Sequence, residues 1–486
     1  MPDILAIDEG TTGVRALVFD ASSAVRGSAY QELTPNYPRP GWVELDAGVV
    51  WDSTRAVCAR ALEAARLAPR DLSAIGVCNQ RATTVVWERA SGRPVHPAIV
   101  WQDVRTASRV PDLLAQGIFT NVMASAAKLE WILRAVPDGM RRAAQGELCF
   151  GTIDSWLVWN LTGGAVHVTD PSNASCTSLY DALQNEWDQH ALATLALPAA
   201  LLPSIRSSSE VYGHTTQQVF GAAVPVAGIA GDQQAALFGE MGTEKGAVKI
   251  TYGTSAMANV NTGEAAVLSP RGAYPLILWG LNGRRVYCLE ATAITAGAAV
   301  QWLRDGLCIL PRLDDSSRIA AQVPDSGGVW VVPAFQGLGT PHMDPNARAV
   351  IGGLSRASTR AHVVRAVLEG IGYRSREVLE TLLEDSGVPR PARLRVDGGA
   401  AVNDFLLQHL ANVLGLPVER PESVQASALG AAYLAGLATG VWRTLDDVRH
   451  TWRSGGLFEP RWSKDQRDSN FHSWQKALAA ACERVF

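Results

Sequence analysis

The chain has 486 residues, too many for one small core, so two or more domains are expected. Lys plus Arg number 43 against 47 Asp plus Glu, a net charge of −4, and this balance does not point to nucleic acid or an anionic membrane as partner. No 18-residue apolar run predicts a transmembrane helix, and no basic region followed by an apolar one opens the chain, so no signal peptide and a cytoplasmic location are expected.

The first element is a strand-like run, Ile4-Leu5-Ala6-Ile7, ending in Asp8 and opening into Glu9-Gly10-Thr11-Thr12-Gly13. A second apolar run, Val14 to Phe19, follows at once, which predicts a β-hairpin. Such a tip suits a metal-bound polyphosphate: Gly admits an anion close to the backbone, Thr hydroxyls donate to it, and Asp8 faces the counter-cation. The same residues also suit a plain tight turn with Gly at positive φ. Beyond it, helices are predicted over Trp51–Leu67, Ala126–Val136, Gln233–Met241, Ala361–Asp385 and Asn403–Leu414. Strands are predicted over Ala74–Val77, Thr83–Trp87, Val224–Ile229, Val248–Tyr252, Val329–Val332 and Arg393–Val396, and the alternation argues α/β architecture.

The second half repeats the opening pattern. Gly246 to Ile250, then Thr251-Tyr252-Gly253-Thr254-Ser255, then Ala256 to Val260 again reads as strand, Gly/Thr tip, strand. Two related domains, each offering a phosphate-binding hairpin, would explain this, with a boundary near Gly242-Thr243-Glu244-Lys245. Seven cysteines, an odd number with no CxxC, are expected as reduced, mostly buried thiols without a zinc site. Trp, at 15, outnumbers Phe and Tyr; most should be core, although an indole face also packs on a sugar's carbon skeleton.

Several segments carry polar chemistry. Pro225 to Asp232 reads as a buried strand ending in Gly231-Asp232, with Asp232 at the N-cap of the following helix; the carboxylate is either only a cap or a base placed to take a proton from an attacking hydroxyl. Leu394 to Ala400 is a strand entering a Gly398-Gly399 turn, with Asn403 opening the next helix, an arrangement open to a flat or anionic ligand or to an ordinary turn. Arg81 and Trp101 follow two strands; together they could hold a polyhydroxylated ligand, or serve as an ion-pair partner and a core residue. Neither a G-x-x-x-x-G-K-[ST] loop nor a G-x-G-x-x-G after the first strand occurs.

Taken together these motifs resemble the FGGY family of carbohydrate kinases, most closely its glycerol kinase branch, over nearly the whole chain. Ile7-Asp8-Glu9-Gly10-Thr11-Thr12 with Arg15 looks like the family's first phosphate loop, and Gly41-Trp42-Val43-Glu44 like a segment that follows it. Asn79-Gln80-Arg81 and Ile99-Val100-Trp101-Gln102-Asp103 match the acceptor region, and Gly228 to Gln234 the segment of the catalytic Asp. One family signature fits fully, from Ala349 to Glu369. The other, Met123-x-Ser125-x-x-Lys128-Leu129-x-Trp131-Ile132, departs only at Ala135.

The resemblance implies an α/β fold of two actin-like (ribonuclease H-like) ATPase domains flanking a central cleft: residues 1–243 with the acceptor site, first phosphate loop and catalytic Asp, and residues 244–486 for nucleotide binding. It implies ATP and Mg²⁺ as cofactors, Asp232 as general base, and Asp8 with Asp232 toward the metal. Thr11, Thr12 and Arg15 would lie by the phosphates. Thr254, Gly297, Gln301, Gly399 and Asn403 would line the nucleotide site, and Arg81, Trp101, Asp232 and Gln233 would face the acceptor. A homo-oligomer, dimer or tetramer, follows by analogy.

Departures from glycerol kinases cluster at the acceptor. Glycerol kinases carry Glu where this chain has Ala82, Tyr where it has Met123, and Phe where it has Met257. Each lost hydrogen bond costs about 0.5–1.5 kcal/mol, more for the charged one, so glycerol should bind roughly ten- to a hundred-fold more weakly. The expected activity is therefore ATP-dependent phosphorylation of a four- or five-carbon polyol or ketose. The alternatives are a true glycerol kinase forming glycerol 3-phosphate, and a non-catalytic sugar sensor on the same fold. An actin-like filament or chaperone ATPase would leave the Trp- and Arg-bearing acceptor segments unexplained. Phe220-Gly221-Ala222-Ala223-Val224 lacks the Arg of fructose 1,6-bisphosphate-binding relatives, so no such feedback is expected.

Overall fold

The computed structural model describes residues 2–422 and 425–482. The chain divides into two compact units: Met1–Met241 with Leu276–Val286 and Ser427–Trp452 (unit 1), and Gly242–Pro275 with Tyr287–Ala426 and Arg453–Phe486 (unit 2). Among the described residues no helix is long and apolar enough to cross a membrane.

Unit 1 is built on a sheet in the order Ser209–His214, Pro225–Gly231, Leu72–Asn79, Asp3–Gly10, Gly13–Asp20, Val25–Glu32. The middle strands are parallel: Asp3–Gly10 and Pro225–Gly231 both run alongside Leu72–Asn79. The outer pairings are antiparallel. Strands covered on both faces need apolar side chains throughout, which explains the unbroken burial of Ile4 to Ile7 and of Val226 to Ala230. The register sets Asp8 opposite Cys78 and places both Glu9 and Gly231 opposite Asn79. Asp8, Glu9, Gln80 and Asp232 therefore emerge together at the carboxyl ends of parallel strands, where open α/β sheets bind ligands.

The helix Ala47–Ala65 starts four residues before the predicted Trp51, because Asp46 caps it by accepting from Gly48 and Val49 N–H. Its apolar face, Val50, Val57, Ala61 and Leu62, joins the core under Leu5, Ile7, Val14 and Ile75. Trp87 lies in that core against Trp156, at 5.3 Å between ring centroids. A second cluster gathers Leu129, Ile132 and Leu133 of the helix Ser125–Ala135 with Val86, Ile99 and Phe150. The small-residue helix Ala426–Thr439, absent from the predicted elements, lies so close to the sheet that a Cβ on Gly76 would strike the Ala431 carbonyl and one on Gly228 the Ala435 backbone.

Unit 2 carries, in sheet order, Arg284–Ala293 from Tyr287 onward, Ala256–Gly263, Val248–Tyr252, Leu394–Asp397, Val418–Pro421 and Ser454–Phe458. From Arg284–Ala293 onward its pairing directions are antiparallel, antiparallel, parallel, parallel, antiparallel. Unit 1 shows the same sequence of directions from Val25–Glu32 to Ser209–His214, so the repeat read from the two Gly/Thr tips extends through both sheets. The long helix Arg360–Ser386 and the helix Asp404–Leu414 pack together in its core through Val364, Leu368, Leu407 and Leu410.

One expectation changes. The first hairpin has only Thr11-Thr12 between its strands, and neither Gly10 nor Gly13 takes positive φ. Gly13 is needed for space instead, since a Cβ there would strike Tyr30 and the Gln31 carbonyl of the neighbouring strand.

Candidate active site

In unit 1 the strand ends concentrate negative charge. Glu9 is fully buried; its backbone carbonyl accepts from Gln80 N (2.6 Å), and its Oε1 accepts from Gln80 Nε2 (3.0 Å). Among the described residues Oε2 has no hydrogen-bond partner. Burial holds the Glu9 carboxyl well above the usual carboxylate range, opposed by the Gln80 bond and joined by the negative charge of Asp8 and Asp232. Burial also raises the Cys78 thiol, with Asp8 the next cause. Asp8 sits directly across the hairpin from Arg15, whose guanidinium lies 5.3 Å from the Tyr30 ring centroid.

Asp232 is not the N-cap. Gly231 takes that position with extended backbone angles, and Asp232 is the first residue of the helix Asp232–Gly239. Its Oδ1 accepts from Gln233 N (2.7 Å) and pairs with Arg81 Nε (3.2 Å). The shift by one residue follows from packing: the Arg81 stem lies against Gly231 so closely that a Cβ there would clash, so glycine holds the cap position and the acid moves into the first turn. There the helix dipole and Arg81 both place positive charge beside the carboxylate.

The acceptor-region residues of unit 1 are tied to this centre. Trp101 Nε1 donates to Thr11 Oγ1 (2.9 Å), and Trp101 N donates to Thr83 Oγ1 (3.3 Å). Thr83 Oγ1 in turn donates to Gln80 Oε1 (2.9 Å), so Glu9, Gln80, Thr83, Trp101 and Thr11 form one chain of hydrogen bonds. Ala82 is 5% exposed and has φ +60°, a left-handed conformation that costs a non-glycine residue about 1–2 kcal/mol. Its carbonyl accepts from Ser125 Oγ (3.0 Å) and Thr84 Oγ1 (3.2 Å), which holds it there. Met123 is 36% exposed, Gln233 is half-buried, and Thr12 is exposed, with its carbonyl accepting from Tyr30 Oη (3.2 Å).

Unit 2 holds the remaining candidates. Thr254 is exposed at the tip between Val248–Tyr252 and Ala256–Gly263. That tip docks on the start of the helix Gly297–Asp305: Gly297 N donates to Gly253 O (2.9 Å) and Ala296 N to Thr254 O (2.9 Å). A Cβ on Gly297 would meet the Gly253 carbonyl, so the contact requires glycine. Gln301 is exposed one turn further along this helix. Gly398, at φ +87°, turns the chain under Tyr252, and Gly399 is exposed with open space where a Cβ would stand. Asn403 is buried, caps the helix Asp404–Leu414 through Oδ1, and donates from Nδ2 to Ser316 Oγ (2.9 Å); both ends of its amide are used inside the fold. Met257 also lies in unit 2, where its sulfur accepts from Thr292 Oγ1 (2.9 Å).

The structure adds residues that lie within the motifs but to which sequence reading gave no role. Glu9, Gln80 and Thr83 link the hairpin to the acceptor loop, and Lys128 is wholly buried beside Trp101. Lys249 is buried 3.9 Å from Asp397, under the second hairpin. The available signal was a charged side chain inside an otherwise apolar run, as in Val248-Lys249-Ile250.

Among the described residues no three or more His, Cys, Asp or Glu side chains are arranged as a metal cage. Mg²⁺ is typically held by one or two carboxylates with water and phosphate, and the crowded carboxylates of Asp8, Glu9 and Asp232 fit such an ion by charge. The exposed, side-chain-free Gly398-Gly399 turn and the Thr254 tip fit close approach by a nucleotide.

Residues 3–239 match the N-terminal domain of the FGGY family of carbohydrate kinases, and residues 248–439 its C-terminal domain. A glycerol kinase of Deinococcus radiodurans is 47% identical over 98% of this chain and 97% of its own length. The solved structure of Plasmodium falciparum glycerol kinase with ADP superposes with a TM-score of 0.93 at 29% identity, covering 100% of this chain and 99% of that one. A xylulose kinase from Brucella ovis gives a TM-score of 0.85 at 25% identity, covering 98% and 99%.

Proposed function

The chain belongs to the FGGY family of carbohydrate kinases, with their actin-like ATPase fold, ATP as phosphoryl donor and Mg²⁺ as cofactor, and on that premise we propose that its acceptor is glycerol and its product glycerol 3-phosphate. The observation that carries this reading is the 47% identity to a glycerol kinase over nearly the full length of both chains. It replaces the larger acceptor expected from Ala82, Met123 and Met257. Three side-chain changes weigh less than likeness along the whole chain.

In the proposed mechanism residues 1–243 hold the acceptor and residues 244–486 the nucleotide. A glycerol hydroxyl oxygen attacks the γ-phosphorus of ATP, the bond from that phosphorus to the ADP oxygen breaks, and the hydroxyl proton passes to the Asp232 carboxylate. Arg81, paired with Asp232 at 3.2 Å, orients the base, and its guanidinium faces the acceptor's hydroxyls with Gln233. The Trp101 indole, fixed by Thr11, covers the acceptor's C–H surface. Thr11, Thr12 and Arg15 donate to phosphate oxygens. Thr254, Gly297, Gln301 and Gly399 line the nucleotide, with Asn403 closing the turn after Gly399. Asp8 and Asp232 would hold Mg²⁺, which supplies charge neutralisation on the transferring phosphoryl group. A cytoplasmic homo-oligomer, dimer or tetramer, belongs to the same proposal by family analogy.

A second reading, a four- or five-carbon polyol or ketose, draws on Ala82, Met123 and Met257, which offer an acceptor no charged or phenolic partner. Steady-state kinetics over glycerol, erythritol, the pentitols and the ketopentoses separates the two. Glycerol should give the highest kcat/KM. A higher value for a larger acceptor would replace the first reading with the second.

A further inference from the structure

Within the FGGY signature over Met123 to Ile132 lies a fully buried lysine to which the proposed chemistry gives no part. Lys128 lies one turn into the helix Ser125–Ala135, with no exposed surface. Its Nζ donates to three backbone carbonyls: Val100 (3.1 Å), Trp101 (2.9 Å) and Met123 (2.8 Å). Ser125, on the same face three residues earlier, donates to the Ala82 carbonyl at 3.0 Å. The backbones bearing Ala82, Trp101 and Met123 are thus all tied to the start of one helix. An ordinary buried lysine would be expected to pair with a carboxylate. Here the acid on the adjoining loop, Asp103, is taken up by Arg105 (2.7 Å) and by Val43 N–H (2.6 Å).

We propose that Lys128 is the positioning residue of the acceptor site, its ammonium clamping the Trp101 and Met123 loops at the spacing that the acceptor requires. The proposal rests on the reading of Trp101 and Met123 as acceptor contacts. It assigns Lys128 no contact with substrate.

The chemistry of the clamp is specific. Three carbonyls accept three N–H groups, which only the ammonium supplies; a neutral amine has two and must release one carbonyl, which loosens the clamp. Burial pulls the Lys128 ammonium down to about 7, with Asp103 opposing and Arg105 adding to the fall. The other charged groups nearby are already paired: Glu44 with Arg105, and Glu130, on the helix itself, with Arg109 and Arg134. A clamp that loses a proton near neutrality weakens acceptor binding as pH rises, while leaving nucleotide binding alone.

The test is steady-state kinetics of the full chain with ATP and its best acceptor, each varied separately, for wild type and Lys128→Met. The variant should raise acceptor KM ten-fold or more, leave ATP KM within two-fold, and change kcat much less than acceptor KM. Lys128→Gln, which keeps two N–H donors, should recover part of the loss. In wild type, acceptor KM should climb between pH 7 and 9, and in Lys128→Met that climb should vanish. An acceptor KM within two-fold of wild type in Lys128→Met, or an ATP KM that moves as far as the acceptor KM, overturns the clamp. Should Lys128→Met fail to fold, Lys128→Gln decides on the same split: a raised acceptor KM with ATP KM within two-fold supports the clamp, and an unmoved acceptor KM overturns it. Trp101→Ala separates the two claims. If it raises acceptor KM while Lys128→Met does not, the clamp is wrong and the acceptor reading stands; if it leaves acceptor KM unmoved, that reading fails at this wall.

Discussion

Asp232 and Arg81 concentrate the proposed chemistry in one ion pair, with the acid in the first turn of its helix. A carboxylate in that position already has its stabilising charges, so replacing it by the isosteric amide removes proton acceptance with little loss of packing. Asp232→Asn should lower kcat by about 10²–10⁴-fold, the usual worth of a general base, with ADP affinity retained. Isothermal titration with ADP beside turnover measurements checks both halves, and an undiminished kcat would remove Asp232 from the base role. The residue scale also shows where sequence reading stopped. Asp232, Arg81 and Trp101 were legible as residues, because motif spacing marks them. Their partners were not: the Trp101–Thr11 bond spans 90 positions, and the Asp232 offset depends on an Arg stem lying against Gly231. No local pattern encodes either contact.

At the scale of elements, Asp154, buried in the helix Ile153–Leu161, and His167, half-buried just ahead of the strand Val168–Thr169, are two titrating groups with opposite effects. Asp154 accepts from Thr152 and Thr169 hydroxyls, and burial raises its carboxyl from 3.8 to about 7. The folded chain therefore binds a proton that the unfolded chain releases, and stability falls as pH rises from about 4 to about 7, by at most about 1.4 kcal/mol per unit. His167, edge-on to Trp87 and Trp159, is lowered by burial from 6.5 to about 4. Its contribution runs the other way: stability is present above about 6.5 and is lost as pH falls toward 4. Asp154→Asn should thus make the unfolding free energy climb more steeply with pH over this window, and His167→Phe should make it climb less steeply. Denaturant unfolding between pH 4 and 7 reads both slopes, and parallel curves for wild type and variants would refute the assignment. Close helix packing gives a further test. Gly76→Ala drives a methyl into the Ala431 carbonyl and should cost about 1–3 kcal/mol, seen as a lowered thermal midpoint; an unchanged midpoint would contradict the packing. That packing helix, Ala426–Thr439, escaped sequence reading because Ala and Leu surround it almost evenly, leaving no apolar stripe of helical period. The strand Val248–Tyr252 was legible to its ends, because its short apolar run stops at a Gly/Thr tip.

At the scale of the whole molecule, the repeated hairpin read near Asp8 and Thr254 proves to belong to two sheets with the same sequence of strand directions. The fold was legible because each sheet announces itself by a strand, a polar Gly/Thr tip and a strand. The acceptor was not, because it depends on a few side chains whose neighbours come from distant loops. The segment Phe220 to Val224 ends a short helix at Gly221 and brings no cation, so added fructose 1,6-bisphosphate should leave turnover unchanged; a fall in rate would reveal a phosphate site elsewhere. The central claim, an ATP-dependent kinase acting on glycerol, meets its most direct test in competition. The enzyme is given ATP, Mg²⁺ and an equimolar mixture of glycerol, erythritol, xylitol and xylulose, and the phosphoester formed first is identified by phosphorus NMR. Glycerol 3-phosphate, appearing in step with ADP, is the predicted product. A phosphorylated four- or five-carbon compound formed in preference, or ADP without any phosphoester, would contradict it.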